Sequence, residues 1–291
     1  MWLRAMLVDN LKAAIPFLDQ VRAAKRRLVP YSDNLANSRL ALEQGLRQIA
    51  MLRAAGAKLG GDVLEIGTGW MPIIPMLFHV AGARHTTLTD IETLMDDATV
   101  AGARALVARH ATEVAAALDM PEAEIARRLD APWPHRYLSP WDIARHPRDS
   151  ADIVVSRAVF EHIPPEVLAR YLAELRGIVR PGAMMCHVVD NSDHWEHRDK
   201  SINRVNFLKY EDGPFWRFTC YNPQNYQNRL RHSDYVAMFR DAGWTILAAE
   251  GAADPASLAA LPGLRLASRF RHHAPDDLAV LTSWLLVRRD S

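Results

Sequence analysis

Cysteine is scarce in this chain. Only Cys186 and Cys220 occur among 291 residues, too few for a disulfide framework and in keeping with a reducing cytosol. Neither sign of charge is in excess: 35 Lys and Arg stand against 34 Asp and Glu, a formal net charge of +1. No bulk attraction to nucleic acid or to an anionic membrane follows from that balance. Long hydrophobic runs are missing too. The most apolar stretch, Met71 to Ala83, is interrupted by prolines and too short to cross a bilayer. The opening Met1 to Val8 meets Asp9 and Lys12 before a signal-peptide core can form. Internal repeats and low-complexity tracts are absent as well. These absences leave a soluble, cytoplasmic protein. With 49% hydrophobic and 24% charged residues, it can bury the core of one large domain or two small ones.

What is present is organised around Asp62 to Pro72, Asp-Val-Leu-Glu-Ile-Gly-Thr-Gly-Trp-Met-Pro. Val63, Leu64 and Ile66 form a short apolar run that predicts a strand buried on both faces. Gly67 and Gly69 end it, letting the backbone turn tightly and a ligand approach where a Cβ would collide. Pro72 suits the first turn of a following helix. Strand, glycine turn and helix make the ligand-binding corner of an open α/β sheet. A dinucleotide site calls for Gly-x-Gly-x-x-Gly, but the third position is Pro72, which argues against an NAD-dependent dehydrogenase. Glu65 would repel a pyrophosphate, yet it can accept hydrogen bonds from an ammonium group or from ribose hydroxyls. S-adenosylmethionine is the phosphate-free cofactor that fits.

At Glu65-Ile66-Gly67-Thr68-Gly69 the sequence resembles the first motif of class I methyltransferases. The expected fold is then α/β: a doubly wound, seven-stranded, mostly parallel sheet with an antiparallel C-terminal edge. Residues 1–60 are expected to form an N-terminal helical lid, and 61–291 the methyltransferase domain with a substrate cap at 190–232. The lid expectation combines helical apolar spacing at Leu3, Leu7, Leu11, Ile15 and Leu18, a basic end at Lys25-Arg26-Arg27, and a second helix from about Asn37 to Ala57. The resemblance makes Tyr31, Asn37 and Arg39 lid candidates.

Further along, His85 to Asp90 reads as a second strand ending in an acid, where a ribose diol offers two donors to one bidentate acceptor. Residues 92 to 130 hold more helix than a minimal unit needs, with a short helix starting at Met120-Pro121-Glu122. Arg136 to Leu138 is a third strand. After it, the resemblance places Trp141 and Asp142 at the adenine, although the expected acid is displaced by about two positions. The fourth strand, Ala151 to Ser156, is followed by Arg157-Ala158-Val159-Phe160-Glu161-His162. This segment resembles the fourth motif of ubiquinone-type O-methyltransferases and their relatives, which carry a similar Glu-His pair. The cofactor set implied is Glu65, Gly67, Thr68, Gly69, Asp90, Ile91, Trp141, Asp142 and Ser156. A helix from Pro164 to Val179 stops at Arg180-Pro181-Gly182, and a fifth strand follows from Ala183 to Asp190. Ser233 reads as the cap of a helix ending near Gly243. Two last strands begin near Trp244 and Ala279, and Gly251 to Pro262 reads as a surface connection.

Between strands five and six, aromatics are mixed with Asn, Asp, His and Arg, which suits a polar, ring-shaped substrate. Trp195, His197, Asn203, Asn206, Tyr226 and Arg229 are the substrate-binding candidates. The sulfonium is already activated, so the protein must align the nucleophile and remove a proton from a hydroxyl. Imidazole suits that task. His194 is the leading candidate base, ahead of His162, with Asp190 or Asp193 to orient it; His187, inside the fifth strand, reads as buried structure. The Asp193-His194 to Lys200 and Asn203 to Leu208 runs are similar to methyltransferases of bacterial glycan and secondary-metabolite pathways. A sugar or phenolic hydroxyl is therefore the expected acceptor, with nitrogen or carbon as alternatives. Asp190-Asn191 also resembles the metal-binding pair of catechol-type O-methyltransferases, with Asp193, His194 and His197 as further ligands. Those enzymes carry an aspartate after strand four, where this chain has Ser156-Arg157, and that speaks against Mg2+. The partner expected is a small molecule, with a homodimer allowed. A silent binding protein is the remaining alternative, opposed by the intact Glu65, Gly67, Gly69 and Asp90.

Overall fold

The computed structural model describes residues 1–15 and 35–290. Helix α1 (Trp2–Ala13) and α2 (Leu35–Ala54) precede β1 (Asp62–Ile66). Then come α3 (Ile73–Val80), β2 (His85–Thr89), α4 (Asp97–Arg109), α5 (Ala111–Leu118), α6 (Glu122–Asp130) and β3 (His135–Leu138). The second half holds β4 (Ala151–Arg157), α7 (Pro165–Ile178), β5 (Val179–Asp190), α8 (Pro214–Thr219) and α9 (His232–Asp241). It closes with β6 (Thr245–Glu250), α10 (Pro255–Ala260), α11 (Pro275–Leu278) and β7 (Thr282–Arg288). Among the described residues no helix is long and apolar enough to cross a membrane.

The seven strands form one sheet in the order β3-β2-β1-β4-β5-β7-β6. The first five strands are parallel neighbours, and β7 runs antiparallel to both β5 and β6. Chain order reverses between β1 and β4, and ligands bind beyond the carboxyl ends of strands at such a switch point. Register brings the ends level there: Ile66 lies opposite Thr89 on one side and Ser156 on the other. Since Arg157 pairs with Val188, β5 carries Asp190 beyond the end of β4.

Side chains alternate between the faces of the sheet, as the strand period of two requires. Val63, Ile153, Val155 and Cys186 face a core built from Leu42, Leu46, Ile49 and Leu52 of α2 and Met76, Leu77 and Phe78 of α3. Leu64, Val154, Met185 and Leu285 face Leu168, Leu172 and Leu175 of α7 and Tyr235 and Phe239 of α9. The extra helices α4 to α6 extend the first core through Leu106, Val107, Val114 and Ile125. Asp96 and Thr99 cap α4 reciprocally.

The structure revises several expectations. Helix α2 is a layer of the core, not a cover: its buried Gln48 donates to the carbonyls of Ser156 and Cys186 at 3.0 and 2.8 Å. Helix α1 is the element lying on the cap, where Trp2 and Met6 pack with Trp195. Tyr31 and the basic run at 25–27 lie outside the described residues. The fifth strand starts at Val179, because Arg180-Pro181-Gly182 forms an irregularity within it, with Gly182 at φ +76° and a register shift opposite Ala151 to Ile153. Arg231, not Ser233, is the cap residue of α9; Ser233 donates its amide and hydroxyl to Asp277. Residues 251–262 are not a plain connection, since Asp254 caps α10 and Leu261 is buried in a third core. That core joins Val205, Phe207, Leu208 and Trp216 of the cap to Phe270 and Leu278.

Candidate active site

The glycine turn is tied to β2. The amides of Gly67 and Thr68 both donate to the Thr89 carbonyl, at 2.9 and 3.0 Å. Asp90 then accepts the Gly69 amide on Oδ2 at 2.8 Å and the Ile91 amide on Oδ1 at 2.7 Å. Both glycines adopt positive φ, +70° and +68°, which costs a residue with a Cβ about 1–2 kcal/mol. Their surroundings differ. A Cβ on Gly67 would stand 2.5 Å from Val159 Cγ2, whereas one on Gly69 would meet nothing within 4 Å. Gly67 is thus demanded by packing as well as conformation, and Gly69 borders open space.

Glu65 is 4% exposed. Burial, with the Asp90 carboxylate adding to it, pushes its carboxyl up to about 8. Its Oε2 and the Thr68 hydroxyl are both buried, with each other as neighbours and no well-formed hydrogen bond to any further group. The corner therefore presents a buried carboxyl that a bound cation would hold in its ionised, accepting form, the complement of an amine or a diol. Ile91 stands 77% exposed beside it. The Trp141 amide donates to the Asp90 carbonyl at 2.9 Å, so the loop after β3 lies alongside. The indole of Trp141 donates to His146 at 3.2 Å, and the exposed Asp142 accepts the Ala144 amide at 3.1 Å as a turn cap.

Past the ends of β4 and β5 a second group converges. His162 Nδ1 lies 2.8 Å from the Tyr226 carbonyl; a carbonyl only accepts, so Nδ1 carries the proton and Nε2 keeps its lone pair. The rings of His162 and His194 are 5.0 Å apart, and those of His194 and His197 stack at 5.3 Å. Asp190 Oδ2 is 3.6 Å from His194 Nε2, and Oδ1 accepts the Ser192 amide at 2.9 Å. Burial would raise the Asp190 carboxyl, but His194 and Ser192 hold it at about 2. Burial lowers His162, and the facing His194 lowers it further. Glu161, 2% exposed, is pushed well above the usual carboxylate range by burial and by Asp190.

Several expected site residues do other work. Ser156 is fully buried, its hydroxyl 2.8 Å from His187 Nδ1, so it faces the core and not the cofactor corner. His187 is buried as expected, and burial drives its imidazole down to about 3. Trp195 packs on Trp2, ring centroids 5.9 Å apart. Arg229 is buried; it donates to the Phe207 and Tyr210 carbonyls at 3.0 and 2.5 Å and pairs with Asp212, holding the cap together. Asn206 donates to Asp193 at 3.4 Å, and Asn203 accepts the Val205 amide at 3.1 Å. Asp193 accepts the Trp195 amide at 2.9 Å, which leaves Asp190 as the acid beside His194. Asn191 Nδ2 donates to Ser283 at 2.6 Å across the sheet, while its Oδ1 is buried without a hydrogen-bond partner. Arg39 pairs with Glu43 and Glu113. Tyr226 is half-buried at the site, and His197 lies exposed beside His194.

Two further residues belong to the site. Glu161 was visible in the sequence as half of the Glu-His pair, though without an assigned role. Arg157 reads as an ordinary strand end, yet it donates to Gln44 at 2.5 Å and Asn37 at 3.0 Å, and it is close enough to Glu161, Asp190 and Glu65 to feel all three.

Strand order, glycine turn and acid-ended β2 together define a class I, S-adenosylmethionine-dependent methyltransferase. The chain belongs to the methyltransferase domain family whose model matches residues 39–249. Magnesium protoporphyrin IX methyltransferase from Synechocystis PCC 6803, solved with bound SAH, is similar in fold: 14% identity, TM-score 0.50, 97% of this chain and 100% of that one covered. An S-adenosylmethionine-dependent methyltransferase from Mesorhizobium loti matches at 16% identity and TM-score 0.46, over 82% of this chain and 96% of its own. No curated protein matches the chain.

Proposed function

We propose that this enzyme transfers the methyl group of S-adenosylmethionine to a hydroxyl of a small polar metabolite, a sugar or a phenol. On this reading Glu65 meets the ammonium group and Asp90 the ribose diol, while Gly67, Thr68 and Gly69 line the cofactor's path. Ile91, Trp141 and Asp142 flank the adenine. The acceptor sits under the cap, near His162, His194, His197 and Tyr226. Its oxygen attacks the methyl carbon, the C–S electron pair returns to sulfur to give S-adenosylhomocysteine, and the hydroxyl proton passes to the His194 imidazole. Asp190 stabilises the imidazolium that results.

The observation that supports this most is the His194–Asp190 pair, 3.6 Å apart at the end of β5, on the edge of the sheet that carries the glycine turn. A base held by a buried carboxylate suits a hydroxyl nucleophile, which must lose a proton, better than a free amine, which enters neutral. The test is S-adenosylhomocysteine formation across sugar, phenol and amine panels. Turnover with hydroxyl acceptors that collapses in His194→Ala supports the reading; turnover confined to amines overturns it.

A further inference from the structure

We propose that Glu161, His162 and His194 form a binding site for one divalent transition-metal ion of the zinc and cobalt class, with Asp190 at its rim. One donor atom from each of the three lies within 4.8 Å of the other two. Three donors on an ion at about 2.0–2.1 Å stand roughly 3.4 Å apart in tetrahedral geometry, so side-chain rotation closes the gap.

Three independent details aim these groups inward. The His162 Nδ1–H is anchored on the Tyr226 carbonyl at 2.8 Å, the arrangement that orients a ligating imidazole and leaves Nε2 for an ion. Glu161 is 2% exposed, and its Oε2 has no hydrogen-bond partner. His194 Nε2 is likewise buried and makes no hydrogen bond, its contact with the Asp190 carboxylate at the rim being a long 3.6 Å. A buried carboxylate oxygen with no partner, beside a buried ring nitrogen that has only a long contact to Asp190, leaves coordination capacity that a guest ion would fill. Two imidazoles with carboxylate oxygens favour zinc, cobalt or manganese over magnesium, which takes oxygen ligands and keeps its water.

A second group, Asp234, His272 and His273, offers similar donors at the surface. There the partners are already supplied: His273 Nδ1 is 2.8 Å from Asp277 and 3.2 Å from the Ser233 hydroxyl. None of its buried polar atoms is orphaned, so it serves as the internal control.

What the ion does for the reaction rests on reading this hollow as the acceptor site: a bound ion would acidify the acceptor hydroxyl, the task otherwise left to His194. The binding itself needs no turnover to be measured. Chelator-stripped protein is titrated with Co2+ by visible absorption and with Zn2+ by calorimetry. One ion per chain is expected, with affinity lowered at least 10-fold in Glu161→Gln and in His194→Ala and unchanged in His272→Ala. Circular dichroism and thermal melts confirm that each variant is folded. No saturable binding, binding indifferent to Glu161→Gln and His194→Ala, or binding lost in His272→Ala overturns the site. Metal-free protein that methylates hydroxyls at full rate overturns the ion's catalytic part and leaves the function standing. Stoichiometric binding in an enzyme active only on amines does the reverse.

Discussion

The carboxylate of Asp90, at the end of β2, accepts the backbone amide of Gly69 at 2.8 Å. One side chain thus shapes the glycine turn and borders the space that the turn opens. Both roles point to the same variant. Asp90→Ala is expected to weaken S-adenosylmethionine binding by about 1.5–3 kcal/mol, the scale of hydrogen bonds to a charged group. Calorimetry would show it, and unchanged affinity would remove Asp90 from the ribose site.

The two glycines should separate by their surroundings. Gly67→Ala must displace Val159 as well as bear the left-handed strain, whereas Gly69→Ala bears about 1–2 kcal/mol of strain alone. The melting temperature should therefore fall further in Gly67→Ala, and cofactor binding should suffer in both. Equal melting temperatures would show that Val159 yields freely.

Loss of a base lowers turnover by about 10²–10⁴-fold without touching cofactor affinity. His194→Ala is expected to behave so in single-turnover assays, with its S-adenosylmethionine Kd within about twofold of wild type. His162→Ala should instead lower thermal stability, because it frees the Tyr226 carbonyl. Wild-type turnover in His194→Ala would exclude that residue as the base.

Glu65 should leave a mark on the pH dependence of stability. Its carboxyl moves from an ordinary 4.5 to about 8 in the fold. Between those values the unfolded chain holds fewer protons than the folded one, so stability falls as pH rises. The contribution is complete below about pH 4.5 and gone above about 8. Glu65→Gln should flatten that decline in urea-unfolding midpoints measured from pH 5 to 9. An unaltered slope would place the ionisation elsewhere.

Arg229 was a plausible substrate contact by composition, but its two terminal nitrogens donate to the cap's own carbonyls and to Asp212, and only the buried Nε is left over. Arg229→Met should cost about 3 kcal/mol of stability, since charge-assisted bonds vanish and buried carbonyls lose their donor. Acceptor KM in the folded fraction should stay near wild type. A large KM change at unaltered stability would return Arg229 to the substrate.

The parts of the site that sequence revealed are local in the chain. Gly67, Gly69 and Asp90 sit at strand ends that apolar runs mark, and a turn needing positive φ announces itself by glycine. The Glu161-His162 pair was equally visible. Failures came where a residue type serves two purposes. Trp195, Asn206 and Arg229 have the chemistry of a sugar site and equally that of a polar loop's internal scaffold. Only their partners, Trp2, Asp193 and the Phe207 and Tyr210 carbonyls, decide between the two.

Sequence by itself determined the strand–glycine–helix corner, the acid at the end of β2, the seven strands, and hence the class of cofactor. These are set by backbone constraints and hydrophobic period, which act over a few residues. Tertiary structure decided that α2 is core, that Ser156 turns to His187, and that Arg157 stands among three carboxylates. It also decided that Glu161, His162 and His194 meet. Those outcomes depend on register between strands far apart in the chain and on which buried polar atoms find partners, and neither is written in any local pattern.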